Sequence, residues 1–593
     1  MIGVYNFLTG RGCLRLKVLF LMIVAFVLEC VFFRLNIYSF SIPALYGGGD
    51  EFLGTLLAQN VIDTGWGWYN TRLASPSYLD YLAFPSESLL RNFDVILFKI
   101  IGAFGFNAFQ IVGIVLLMEP LICVLTAYFA LRSVIDEDWL SAIGALTFAF
   151  MPFYWQRFLP HMCLTMYMFV PLAILMCVWL YKGEIFQSID RCELYNRKNW
   201  LSGMFCLLIA NNGIAYWQAF SCFFLFMTAL FCKGMTETWK SVLPRFIPVG
   251  IIILLFAIEL SPVVIDKYLL DNHFESPVRV AVEPEIFGLK VSQMLIPQQL
   301  PGDTGYERGL QEYFRNAPLS NENNTAYLGV TGAVGFLILI GSIFFAHAER
   351  GICNLLAKLN LAGFLLATIG GFSTIGTLVV FGYRGTFLRG YNRISVFLGL
   401  ISIMGFCMFV QSLINSKPTA RIRWRIGIAI LMLAGLSFQS WVACGGQRGA
   451  WGSGLESYES DRAFVSAIEN RLPKGAMIYQ LPYHPFPEAG PVKKMNDYQH
   501  LTGVLHSKDL RWSYGTIRGT EADEWQKKLA GKDIVSQIEL IKEVGYAGIY
   551  LDRRAYDQNE LNNIEGALRK IVNGNPLVSK DKNLVFYQFN NIL

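Results

Sequence analysis

The residues best suited to chemistry begin at a glycine run with two carboxylates, Tyr46-Gly-Gly-Gly-Asp50-Glu51. An aspartate beside flexible glycines can act as a general base on an acceptor hydroxyl. Aspartate also commonly caps a helix, and a helix can begin at Glu51, so catalysis and capping both stay open for Asp50. The sequence does not decide between Asp50 and Glu51 as the base. The letters GGDEF also occur in diguanylate cyclases, but those are soluble domains that carry the motif on a hairpin, and we reject that match.

Arg157 and His161 frame a tight turn between two apolar runs. A guanidinium and an imidazole at the level of lipid headgroups suit a phosphate ligand. Two alternatives stay open. Arg157 can be an interfacial anchor that extends to water, and His161, next to a proline, can be the first residue of a helix.

Arg384, Arg389 and Arg393 lie within ten residues at the outer mouth of a predicted spanning helix. Cations on that side oppose the usual bias of lysine and arginine toward the cytoplasm. An anionic partner such as a phosphate headgroup gives a physical reason for them. The alternative is that they pair with Glu283, Glu285 or the C-terminal residues.

A weaker set of candidates lies in one long loop. Carboxylate, amide and aromatic side chains are typical of sugar or acceptor contacts, although a solvated loop has the same composition. The set consists of Glu283, Glu285, Gln298, Tyr306, Arg308, Tyr313 and Glu322.

The elements that position these residues are predicted to be membrane-spanning helices. Of the 593 residues, 54% are hydrophobic and only 16% are charged, whereas soluble domains carry about 25% charged residues. A spanning helix needs about 20 largely apolar residues. Eleven such runs lie near 17–39, 108–133, 139–156, 162–181, 200–216, 217–233, 246–264, 327–346, 354–373, 393–415 and 425–443.

The charges between these runs predict the orientation. Lys and Arg gather in four of the five even-numbered connections, which places the N-terminus in the cytoplasm. The exception follows the second run, where Asp136, Glu137 and Asp138 outnumber Arg132. An odd number of spans then puts residues 445–593 outside, together with the long connections at 40–107 and 265–326. Residues 371–392 form either a loop or a short re-entrant segment.

Long loops are usually functional, so the chemistry is predicted at the outer face. Within 40–107, the stretches 50–64 and 86–104 have apolar residues at helical spacing and are predicted to lie along the membrane surface. The predicted domains are a transmembrane region, 1–444, and an extracytoplasmic α/β domain, 445–593.

In the C-terminal domain we predict strands at 476–481, 547–551 and 584–589 and helices at 461–472, 521–530 and 533–544. The domain contains no cysteine, and no cysteine pair in the chain has the spacing of a zinc site. The domain is predicted to contact acceptor or glycan, with a packing role as the alternative.

The overall layout resembles the C-type (GT-C) polytopic glycosyltransferases: an aspartate in the first outer loop, two surface helices after it, many spans and a C-terminal soluble domain. Short strings resemble bacterial inner-membrane proteins described as sugar translocases or YfhO-like proteins. They are Trp66-Gly-Trp68 to Phe84-Pro85, Leu289-Lys290 to Pro297, Tyr391-Asn392-Arg393 and Leu510-Arg-Trp-Ser-Tyr-Gly515.

The resemblance implies that Asp50 is the base of a glycosyltransferase in the bacterial inner membrane. The donor would be a polyprenyl-phosphate-linked sugar, and the acceptor a glycan or lipid on the periplasmic side. No metal-binding carboxylate pair can be assigned, and a donor that needs no metal is the simpler hypothesis. A lipid-linked sugar flippase and a non-catalytic factor of envelope polysaccharide assembly remain as alternatives.

Overall fold

The computed structural model describes the chain over most of its length. The described residues are 14–66, 68–81, 92–158, 161–188, 196–233, 239–269, 275, 279–300, 304–319, 321–345, 351–416, 421–443, 451–572 and 575–589. Residues 86–91 of the second amphipathic stretch lie outside them.

Apolar helices dominate the first three quarters of the chain. In chain order they are α1 (Leu14–Phe33), α2 (Asp50–Thr64), α3 (Asn92–Gly102), α4 (Ala108–Arg132), α5 (Asp138–Ala149), α6 (Pro152–Arg157), α7 (Met162–Thr165), α8 (Val170–Lys182), α9 (Arg197–Ala210), α10 (Ala215–Lys233), α11 (Ile247–Leu269), α12 (Glu283–Ile286), α13 (Val291–Leu295), α14 (Gly305–Asn316), α15 (Gly329–Phe345), α16 (Ile352–Ala367), α17 (Phe372–Phe381), α18 (Ser395–Ser416) and α19 (Arg421–Ala443).

The protein is an integral membrane protein. Within the described ranges, seven helical stretches are long and apolar enough to cross a bilayer: Leu14–Phe33, Ala108–Arg132, Cys163–Lys182, Ala215–Cys232, Trp239–Tyr268, Tyr391–Ser416 and Ile422–Ala443. Shorter apolar helices cover Gly329–Phe344, Ile352–Ala367 and Phe372–Phe381. All eleven predicted runs contain a helix.

Three predicted boundaries were wrong. The run 139–156 divides into α5 and α6 because Pro152, at the start of α6, begins a new helix. The run 162–181 divides into α7 and α8, and Pro171 occupies the first turn of α8. The run 200–216 ends at Ala210.

The acidic exception in the charge pattern is explained by ion pairs. Lys17 and Arg132 both pair with Asp138, and Arg425 pairs with Glu137. The excess carboxylates of this connection are therefore neutralised by cations from α1, α4 and α19, so they do not contradict the predicted orientation.

Buried carboxylates inside the bundle have polar partners. Thr165 donates a hydrogen bond of 2.7 Å to Glu119, and the Tyr154 hydroxyl lies 3.5 Å from Glu29. Helices α15 and α18 approach so closely that a Cβ atom on Gly335 would lie 2.0 Å from the backbone oxygen of Ser402. Only glycine fits at that crossing.

The C-terminal residues form a five-stranded sheet with helices around it. The strands are β3 (Met477–Leu481), β4 (Arg511–Trp512), β5 (Gly548–Asp552), β6 (Leu577–Val578) and β7 (Leu584–Gln588), in the order β4-β3-β5-β7-β6. Strand β3 is parallel to β4 and β5, whereas β7 is antiparallel to β5 and β6. The helices are α20 (Leu455–Glu469), α21 (Thr502–His506), α22 (Glu521–Ala530), α23 (Ile534–Glu543) and α24 (Gln558–Ile571).

The first long loop is joined to this sheet. It contains a short hairpin, β1 (Tyr69–Asn70) with β2 (Leu79–Asp80). The Trp512 amide donates to the Arg72 carbonyl at 2.8 Å, and the Ser75 amide donates to the Trp512 carbonyl at 2.9 Å. The loop thus covers the edge strand β4, so the C-terminal layer and the first loop are one structure.

Candidate functional site

Asp50 is the first residue of α2 and faces a histidine. The N-cap position is Gly49, and no side chain caps the helix, so the capping interpretation of Asp50 is wrong. The Asp50 Oδ2 atom lies 2.8 Å from Nδ1 of His161, and the two side chains are 44% and 40% exposed. A carboxylate that is paired with an imidazole and still open to solvent can accept a proton from a bound hydroxyl.

His161 serves two structural purposes. It occupies the N-cap position of α7 without a capping hydrogen bond from its side chain, which leaves the ring free to reach Asp50. The helix-start interpretation of His161 is therefore confirmed, its ring contacts Asp50, and its contact with a phosphate stays a prediction.

Glu51 differs from Asp50 in burial. Its side chain is buried, and Oε1 accepts a 2.9 Å hydrogen bond from the Gly47 amide. Burial raises the pKa of Glu51 to about 7. Glu51 also lines a narrow recess beside apolar residues such as Phe109 and Leu116. Through its hydrogen bond to Gly47 it braces the glycine run.

Arg157 is buried in an ion pair. Its Nη2 atom lies 2.6 Å from the Glu322 carboxylate, and the side chain is 4% exposed. The same nitrogen reaches the Glu322 carbonyl at 3.3 Å and the Thr325 hydroxyl at 3.2 Å. The interpretation of Arg157 as an anchor extending to water is therefore wrong.

Arg393 also pairs with the Glu322 carboxylate, at a longer distance than Arg157 does. Its Nη2 atom lies 3.7 Å from Glu322, and its guanidinium lies 4.1 Å above the Tyr216 ring. Burial acts to raise the pKa of Glu322, but the charges of Arg157 and Arg393 outweigh it and lower that pKa below its ordinary value. Two guanidinium groups with one carboxylate leave one net positive charge.

Arg389 lies beside this group. Its Nε atom is 3.9 Å from Glu283, and its guanidinium is 4.6 Å from the Phe287 ring centre. The alternative that these arginines pair with Glu283 therefore applies to Arg389. Among the described residues, the Nε atoms of Arg157, Arg389 and Arg393 are buried and have no hydrogen-bond partner.

The carboxylate and the arginines surround one region. The His161 amide donates a hydrogen bond of 3.0 Å to the Arg157 carbonyl. The side chain of His161 contacts Asp50, and that of Arg157 contacts Glu322. The Asp50–His161 pair and the Arg157–Glu322 pair are therefore neighbours.

The other candidates lie in contacts of their own. Arg384 is exposed in the turn after α17. Glu285 accepts a 2.6 Å hydrogen bond from Thr374. Gln298 and Tyr306 donate to backbone carbonyls of their own loop, and Arg308 is exposed on α14. The structure does not bring these residues into the group around Asp50.

The sequence missed two contacts of the site. Glu322, predicted only as one of the weak loop candidates, stands in a 3₁₀ turn just before α15. Nothing in its sequence context marks it as the partner of two arginines. Residues 496–499 contact the glycine run across more than 440 positions of chain, a contact that no local pattern reveals.

The sequence matches no protein-family model, and it has no match among curated proteins. In structure it is similar to the arabinofuranosyltransferase AftD from Mycobacteria, with a TM-score of 0.55 at 13% identity over 98% of this chain and 40% of AftD. A variant of AftD gives 0.55 at 12% identity over 98% and 42%. The chain has the GT-C fold.

This chain spans about two fifths of the length of AftD, and at this identity the likeness establishes the fold alone. An Archaeoglobus fulgidus oligosaccharyltransferase aligns over 96% of this chain and 73% of its own, with 10% identity and a TM-score of 0.47. That score is too low to indicate a common fold by itself.

Proposed function

We propose that the protein is a glycosyltransferase that moves a sugar from a polyprenyl-phosphate carrier to a hydroxyl of a glycan or lipid acceptor. The observation that carries the proposal is the solvated Asp50–His161 pair next to buried arginines that hold excess positive charge. The GT-C fold is consistent with it.

In the proposed reaction, Asp50 accepts the proton of the acceptor hydroxyl. The acceptor oxygen forms the new bond to the anomeric carbon of the sugar, and the bond from that carbon to the phosphate oxygen breaks. The electron pair stays on the leaving polyprenyl phosphate. Arg393 and Arg157 stabilise this charge as it develops, which lowers the barrier. His161 orients the Asp50 carboxylate.

The net positive charge of Arg157, Arg393 and Glu322 together favours a carrier with a single phosphate. Arg157 and Arg393 together exceed Glu322 by one positive charge. A phosphodiester between sugar and polyprenol carries one negative charge and neutralises this excess, whereas a pyrophosphate would leave negative charge uncompensated in a buried site.

The site is proposed to lie at the outer face of the membrane and to work without a metal ion. The Lys and Arg bias of the connections supports a cytoplasmic N-terminus, and a bacterial inner-membrane protein would then have Asp50 and the C-terminal layer at the periplasmic face. The reaction is proposed to need no metal, and an unchanged rate with excess chelator would support this.

The test is transfer by the purified protein in detergent, with a radiolabelled polyprenyl-phosphate sugar and candidate acceptors. Asp50→Asn is expected to abolish transfer. Glu51→Gln is expected to retain a large part of it, because a glutamine oxygen can still accept the Gly47 hydrogen bond that braces the loop. Asp509→Asn, which removes an exposed ion pair with Lys474, is the matched control and should behave as wild type.

Full activity of Asp50→Asn would refute its role as the base. A flippase would instead move the labelled lipid across vesicles without consuming it, and an assembly factor would do neither. Donor consumption without a transbilayer gradient therefore separates the three functions.

A further inference from the structure

The glycine run before Asp50 is held by the C-terminal layer at its first residue. The Tyr46 amide donates to the Ser453 carbonyl at 2.9 Å. The Tyr46 hydroxyl donates to Asp461 at 2.8 Å and lies 2.9 Å from Nε2 of His506. Tyr46 and Asp461 are almost fully buried, so this end of the run is fixed.

A second set of contacts holds the glycines themselves. The Asn496 side-chain amide donates to the Gly47 carbonyl at 2.6 Å, and the Gly49 amide donates to the Asp497 carbonyl at 2.7 Å. A Cβ atom on Gly48 would lie 2.5 Å from Oε1 of Gln499. Residues 496–499 therefore clamp the run along its whole length.

The clamp is itself held in a strained conformation. Within the clamp, Tyr498 has φ of 60°, a value that costs energy for a residue with a side chain. Glu488, whose amide donates to the Tyr498 hydroxyl at 3.0 Å, has φ of 53°. The Asp497 carboxylate accepts from the Gly490 amide at 3.1 Å and lies 3.3 Å from Nε2 of His484. Such strain persists where the surroundings fix the backbone, and it clusters at functional sites.

We propose that Asn496 and Asp497 are positioning residues of the active site, which set the direction of the Asp50 carboxylate through Gly47 and Gly49. Because no side chain caps α2, the direction in which Asp50 leaves the helix depends on the backbone that precedes it. The C-terminal layer is then an obligatory part of the catalytic centre. This inference rests on the proposed function of Asp50.

The test uses the full-length protein in detergent and the variant Asn496→Asp. The substitution keeps the shape of the side chain but replaces the donor to Gly47 with an acceptor. Asn496 is exposed, so the fold should persist. Asn559→Asp, at an exposed position in the first turn of α24, is the matched control, and Asn496→Gln retains an amide donor.

We expect hydrogen exchange at residues 47–50 to become about tenfold faster in Asn496→Asp, with β3 and β5 unchanged, because only the clamp is released. We expect kcat to fall about tenfold, because a misplaced base loses alignment. KM for the donor should stay within about twofold, because the arginines that bind it lie on other elements. Asn496→Gln should recover part of kcat.

Unchanged exchange at 47–50 would show that Asn496 does not hold the run. Faster exchange with wild-type kcat would show that the clamp does not position Asp50. An equal loss of kcat in Asn559→Asp, or exchange rising throughout the layer, would mean a general effect on folding, and each of these results overturns the inference. If the wild type transfers no sugar, the proposed function has failed, and the exchange measurement alone reports on the clamp.

Discussion

The ion pair between Arg157 and Glu322 can be tested by a double-mutant cycle with Arg157→Gln and Glu322→Gln. Arg157 is 4% exposed and Glu322 23% exposed, and their charged atoms lie 2.6 Å apart. Breaking a fully buried pair by removing one partner costs about 3–5 kcal/mol, because the remaining charge stays buried. The partial exposure of Glu322 reduces this cost.

The two single variants should differ. Arg157→Gln leaves Glu322 with Arg393 as a partner at 3.7 Å, so we expect a loss of about 2 kcal/mol of unfolding free energy. Glu322→Gln leaves two guanidinium groups without this carboxylate, so we expect a loss of about 3 kcal/mol. The double variant removes one charge of each sign and should cost about 3 kcal/mol, which gives a coupling of about 2 kcal/mol.

The assay is denaturant titration of the purified protein in detergent micelles, with unfolding free energies compared at one ionic strength. The exposed pair Glu312–Arg315, at 3.8 Å on α14, provides the control cycle, and its coupling should be close to zero. Additive losses at Arg157 and Glu322, or a larger loss for Arg157→Gln than for Glu322→Gln, would refute the assigned geometry.

Three further outcomes are expected. Gly335→Ala should destabilise the bundle strongly, because its Cβ would lie 2.0 Å from a backbone oxygen of α18. A Cβ on Gly341 of the same helix meets no described atom within 4 Å, so Gly341→Ala should not destabilise it. Unfolding in micelles measures both variants. Burial raises the pKa of Asp461 from 3.8 to about 7, so between these values the folded protein holds a proton that the unfolded chain releases. Stability should therefore fall as pH rises from 4 to 7, and Asp461→Asn should flatten this slope; an unchanged slope contradicts it. Gly48→Ala should reduce transfer strongly, because φ is +89° and the added atom meets Gln499; wild-type transfer would exclude a tight clamp.

The local sequence pattern was sufficient to predict the membrane helices, because each of them is a long run of apolar residues. The breaks at Pro152 and Pro171 were missed, because the flanking residues are equally apolar and only the proline marks a new helix. In the C-terminal layer the predicted strands correspond to β3, β5 and β7. The two-residue strands β4 and β6 are too short to show any periodicity.

For the candidate site as well, the sequence predicts single residues but not the contacts between them. The glycine run alone predicts Asp50 and Glu51 as candidate bases, and the proposal of Asp50 uses their difference in burial, which is a tertiary property. The pairing of Arg157 with Glu322 depends on how α6 meets the turn before α15. Such tertiary contacts leave no trace in composition or spacing, and the clamp at Asn496 is of the same kind.

The hydrogen bonds between Arg72, Ser75 and Trp512 join a segment made early in synthesis to a strand made near its end. More than four hundred residues are synthesised between them, so the first loop lacks its partner strand until strand β4 has been made. The glycine run before Asp50 also lacks its contacts until then, because Ser453 and Asn496, which hydrogen-bond to it, are synthesised late. A chain that stops before the sheet would retain its spans and the Asp50 carboxylate, yet it would lack the surface against which that carboxylate is held.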